Sequence, residues 1–112
     1  MPLHAYAQGV IAMVELLRGR TPEALHMAEK AISALAARGG AAEEGEGLVR
    51  LAFAESLAAT GDTEGARRAL SIAKRRIEER AALLTRPAHR RGFVELVPEH
   101  RRTLDLAAHM GA

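Results

Sequence analysis

Apolar residues recur every three or four positions through most of the chain, and glycine or proline interrupts the recurrence at intervals. From Leu3 to Arg18, the residues Tyr6, Val10, Met13 and Leu17 fall on one face, which predicts a first helix ended by Gly19. Thr21 as N-cap, Pro22 at the first helical position and Glu23 near the positive helix end predict a second helix from Pro22 to Ala37. Its stripe is Leu25, Ala28, Ile32 and Leu35. Gly39-Gly40 stops it. A third helix starts near Ala42, where Glu43, Glu44 and Glu46 place negative charge in a first turn. It continues through Leu48, Leu51, Phe53, Ala54, Leu57 and Ala58 to Gly61. Asp62 caps a fourth helix, whose row Ala66, Leu70, Ala73, Ile77, Ala81 and Leu84 keeps helical spacing throughout. After a break at Thr85-Arg86, Pro87 opens a short helix with Phe93 and Val97 turned inward. Pro98 lacks an N–H and crowds the turn before it, so it kinks or restarts that helix. The last piece runs to Met110 with Leu104, Ala107 and Ala108 as its apolar side.

Composition makes this an all-α chain of a size suited to one domain. Alanine occupies 24 of the 112 positions, tryptophan is absent, and Tyr6, Phe53 and Phe93 are the only aromatic residues. Such a mixture favours closely approaching helices and disfavours sheets. The absence of cysteine excludes disulfides and thiolate metal sites. Apolar stretches such as Val10 to Val14 are far shorter than the roughly 18 residues that span a membrane, and the first residues lack a signal-peptide pattern. A soluble, cytoplasmic setting is the default expectation.

Charge divides the chain. Residues 1–60 hold five Lys/Arg against seven Asp/Glu, and residues 61–112 hold eleven against seven. The basic second half, with Arg67, Arg68, Lys74, Arg75, Arg90 and Arg91 as its candidate surface, raises the possibility of nucleic-acid binding. Interleaved acids and the lack of aromatics placed to stack on bases favour a solvated or acidic-protein-binding face instead, with pairs such as Glu64–Arg68 and Lys74–Glu78. His4, His26, His89, His100 and His109 are too dispersed to put two metal ligands on one helix face, so solvated or cap-lining roles suffice. Glu43-Glu44-Glu46 and Glu78-Glu79 read as helix-start and surface residues, not as acid–base pairs.

The joints repeat. Gly19-Arg20-Thr21-Pro22-Glu23-Ala24 and Gly61-Asp62-Thr63-Glu64-Gly65-Ala66 lie 42 residues apart, each with an alanine five residues after the glycine. With Ala12, Gly19, Ala24 and Ala31 matched by Ala54, Gly61, Ala66 and Ala73, the pattern resembles the tetratricopeptide repeat at a period longer than usual. It lacks the family's bulky first-helix aromatic and its closing proline after Ala37. The segments EEGEGLVRLAFAESLAATGDTEGARRAL and FVELVPEHRRTLDLA further resemble the C-terminal ends of large signalling proteins of high-GC bacteria. In those proteins a serine/threonine kinase or regulatory ATPase precedes tetratricopeptide-type helices.

The resemblance implies an antiparallel helix-pair, TPR-like solenoid of about two repeats, with a C-terminal capping helix broken at Pro98. Residues 1–84 would hold two hairpins, about 3–37 and 42–84, and residues 85–112 the capping helices. It also implies a concave side formed by the first helix of each repeat. Tyr6, Gly9, Met13, Leu16 and Leu17 would lie there with Leu48, Leu51, Glu55 and Ala58, and Tyr6, Met13, Leu17, Leu48, Leu51 and Glu55 are the candidate protein-binding groove. The expected role is a non-catalytic interaction or scaffold module. Its partner would be another protein, upstream repeats of the same protein, or a second copy. No catalytic residue, metal, cofactor or small-molecule substrate is called for, and nucleic acid is the alternative partner.

Overall fold

The computed structural model describes residues 3–39 and 45–112. Among them the chain forms six helices: α1 (Leu3–Leu17), α2 (Thr21–Ala36), α3 (Glu46–Ala59), α4 (Thr63–Ala82), α5 (Pro87–Glu95) and α6 (Pro98–Met110). The stops are chemical. Gly19 and Gly61 adopt left-handed φ angles of 73° and 89°, which lets the chain reverse after α1 and α3 without a Cβ clash. Asp62 caps α4 by accepting a 2.9 Å hydrogen bond from the Gly65 N–H. Pro98 restarts the helix: Val97 is extended, and α6 begins at the proline itself.

Two local expectations change. Thr21 is not the cap of α2. Arg20 holds that position with no side-chain hydrogen bond, and its carbonyl receives the Ala24 N–H at 2.9 Å. Thr21 is already the first helical residue, so Pro22 falls second. The described part of α3 opens at Glu46 behind Gly45, and the expected start near Ala42, with Glu43 and Glu44, lies outside the described residues.

Burial follows the period of 42 residues between the joint glycines. In α2 the buried row is Ala24, Ala28, Ala31 and Leu35, and in α4 the same register gives Ala66, Leu70, Ala73 and Ile77, also buried. Leu25 and Ile32, expected in the α2 stripe, are only half-buried beside it. α3 is central. It packs against α1 and α2 on one side and against α4 and α6 on the other. Ala5, Ala31, Leu35 and Val49 join the first three helices, next to a second cluster of Ala12, Ala28 and Ala52. Ala54, Ala69, Leu70 and Ala107 join α3 and α4 to α6.

Small residues set the helix spacing. A Cβ added at Gly9 would stand 3.2 Å from Val49 Cγ2, so the glycine lets α1 seat closely on α3. The larger buried chains, Leu35 and Leu70, each contribute about 2 kcal/mol by leaving water. α6 contacts both α3 and α4, the relation that α3 has to α1 and α2, whereas α5 buries no residue and acts as a connector. Phe93 and Val97, expected inward, are half-buried.

α1 is rotated from the expectation. Its apolar row Tyr6, Val10 and Leu17 faces outward, and the inward row is Ala5, Gly9 and Ala12. The helix is apolar nearly all round, so its strongest stripe does not mark the core side.

Candidate functional site

The outward side of α1 is the largest run of exposed apolar residues in one described element. Tyr6, Val10, Ile11, Val14 and Leu17 are 36 to 88% exposed, with Leu17 the most. Glu15 is the helix's one acidic residue, and its carboxylate is drawn toward Arg18 and Arg20 at 3.6 and 3.8 Å, at the edge of the face. Beside it, a shallow groove between α1 and α2 is lined by Ile11, Glu15, Pro22, Glu23, His26 and Met27.

The six groove candidates do not form one exposed surface. Tyr6 and Leu17 remain available, and Met13 is half-buried against the Ala12, Ala28 and Ala52 cluster. Leu48 is half-buried, and Leu51 is 2% exposed, a core residue. Glu55 accepts a hydrogen bond from Arg102 of α6 at 3.0 Å and so helps hold the C-terminal helix. The apolar residues that extend the α1 surface are instead Val10, Ile11 and Val14. Their spacing was visible, but the direction they face depends on which side α3 occupies.

A charged node lies at the other end of α3. Glu46 is 1% exposed in the first turn, and its carboxylate accepts hydrogen bonds from Arg76 Nε at 2.6 Å, Arg76 Nη2 at 3.1 Å and Arg50 Nε at 3.0 Å. Arg80 stands 3.9 Å away and also lies over the Phe93 ring, 5.1 Å from its centroid. Burial pushes the Glu46 carboxyl up, but hydrogen bonding and charge from Arg76 and Arg50 outweigh it and hold the group below its ordinary range. The same partnership raises Arg76. Glu46 is therefore more than a dipole-facing first-turn acid. It ties α3 to α4, and through Arg80 the tie reaches α5.

Of the solvated and lining roles expected for the histidines, His100 does not take the solvated one. It is buried, its Nδ1 lies 2.7 Å from the Phe93 carbonyl, and its ring is 4.4 Å from that of Phe93. Gly47 makes room for it, since a Cβ there would approach the imidazole to 2.7 Å. These contacts secure the start of α6 against α3. Among the described residues no three His, Cys, Asp or Glu side chains gather as metal ligands.

The basic candidates are divided in use. Arg67 donates to the Met110 carbonyl at 2.9 Å and pairs with Glu64, which replaces the expected Glu64–Arg68 pair. Arg90 donates to the Leu84 carbonyl at 2.7 Å. Arg68, Arg75 and Arg91 are exposed and Lys74 is half-exposed. Two of the six candidates thus hold helix ends together, and α4's Arg76 and Glu79 pair at three-residue spacing on the same helix. No helix among the described residues is long and apolar enough to cross a membrane. Comparison of the chain with protein-family models, with curated proteins and with solved structures finds no match.

Proposed function

We propose that the chain is a non-catalytic protein-interaction module of TPR-like, helix-hairpin design, working as the C-terminal part of a larger bacterial signalling protein. The observation that carries this reading is the shared 42-residue register of joint glycines and buried rows in α2 and α4, combined with an apolar surface left open on α1. A repeat of this kind supplies rigid helix faces, and the open face supplies contact area without reactive groups. Any kinase or ATPase chemistry belongs, on this reading, to other parts of the parent protein.

The test is photo-crosslinking from position 14 in cells that produce the full gene product. The expected result is an adduct to a defined protein segment that disappears in a Val10→Asp variant. Crosslinking that is diffuse, or indifferent to Val10→Asp, would refute the reading. Titration with duplex and single-stranded nucleic acid is expected to show no binding at low salt. Tight, salt-dependent binding would instead assign the function to Arg68, Lys74, Arg75 and Arg91.

A further inference from the structure

The two hairpins share one register, and four of the five exposed apolar residues of α1 have counterparts on the packed side of α3, whereas Leu17 matches the exposed Ala59. Moving 42 residues along the chain takes Tyr6 to Leu48, Ala7 to Val49, Val10 to Ala52, Ile11 to Phe53 and Val14 to Ser56. On α3 this is the side that seats on α1 and α2. Val49 is 1% exposed and Ala52 and Ser56 are fully buried, with Val49 against Ala5, Ala31 and Leu35. Ala52 packs with Ala12 and Ala28, and Phe53 leans on the same cluster. On α1 the matching side is more open: Tyr6, Val10, Ile11 and Val14 are 36 to 43% exposed, with the Tyr6 ring set against Gly45.

We propose that the outer face of α1 is a repeat joint, shaped to receive a helical hairpin of the α1–α2 kind carried ahead of α1 on the same polypeptide. The proposal rests on the interaction-module reading above and names the occupant of its open face. Three features support that occupant. The α1 face has no charged residue at the five matched positions, so it suits the row of small residues, Ala5, Gly9 and Ala12, that α1 itself offers to α3. Its bulk is redistributed and largely conserved, with Val10 and Val14 larger than Ala52 and Ser56 while Ala7 and Ile11 are smaller than Val49 and Phe53. A second copy has no such hairpin surface to give, because α3 occupies the one on α1–α2 and α6 occupies the one on α3–α4.

The test lengthens the chain with its own hairpin: residues 1–44 are placed ahead of a complete 112-residue chain. The expected result is a thermal midpoint several degrees higher than that of the unextended chain, and amide exchange in the internal α1 slowed by at least about tenfold. Val10→Asp should shift the unextended chain's midpoint by less than this gain and, placed in the internal α1, cancel the gain in the longer chain. Unchanged exchange in α1 together with an unchanged midpoint would overturn the proposal. A 112-residue chain that dimerises and is made monomeric by Val10→Asp would also overturn it, in favour of a second copy. A lengthened chain that stacks while position 14 captures nothing in cells upholds the joint and rejects partner binding at this face. Capture of a separate protein by a chain that does not stack does the reverse.

Discussion

The first and last helices of the stack are finished differently. At one end, α1 presents Tyr6, Val10, Ile11, Val14 and Leu17 to solvent. At the other, α6 lays Ala107 on Ala54, Ala69 and Leu70, with Leu106 and Met110 beside them, and its first turn is fixed by buried His100 and Thr103. The seal is reinforced by hydrogen bonds from Arg67 to the Met110 carbonyl and from Arg102 to Glu55. The lesson is that exposure of an apolar helix face is not a uniform property of this alanine-rich chain. One end spends polar contacts on closure, and the other leaves a smooth apolar side with its charges at the margin.

The strongest way to break the comparison is to place a charge at matched positions. Ala52→Asp buries an unpaired carboxylate between α1, α2 and α3 and is expected to cost about 4 kcal/mol or more, enough to unfold much of the population in a denaturant titration. Next comes Glu46→Ala. It removes the acceptor shared by Arg76 and Arg50, and a loss of about 2 kcal/mol is expected because Arg76 is partly exposed and can turn to water. Arg76→Ala takes the main partner from a buried carboxylate and is expected to cost at least as much.

The acid limb of the stability profile follows from the same node. The native pKa of Glu46 is lowered, so its contribution is fully present above the ordinary carboxylate range and is lost as pH falls through the native value. Thermal midpoints should decline through that acid window, and Glu46→Gln should flatten the decline. An unaltered slope in Glu46→Gln would remove the node from the account. The smallest expected effect is that of Val10→Asp in the 112-residue chain, about 1 kcal/mol, because Val10 is 36% exposed and loses only part of its packing.

The sequence announced the helices well because their ends are written in local chemistry: Gly19, Pro22, Gly61, Asp62, Pro87 and Pro98 each act on their own turn. The α4 row was equally legible from Ala66 to Ala81, since its opposite face is densely charged and leaves only one way to turn, whereas Leu84, expected at its end, lies beyond the last helical residue and is half-buried. α1 carries apolar residues on nearly every side, so periodicity could not say that Ala5, Gly9 and Ala12 face inward while the bulkier row does not. Leu51 looked like a groove residue for the same reason, and α4 and α6 enclose α3 from the side it was expected to expose. The roles of Glu46 and His100 depend on Arg76, thirty residues away, and on the Phe93 carbonyl across the α5–α6 break, contacts that no local pattern specifies.

The most direct measurement of the difference between the ends is native-state amide exchange resolved by helix in the unmodified chain. α3, held between α1–α2 and α4–α6, should be among the slowest-exchanging elements, and α1 should open locally with clearly lower protection. Equal protection of α1 and α3 would contradict the claim that the α1 side is an open end awaiting a partner.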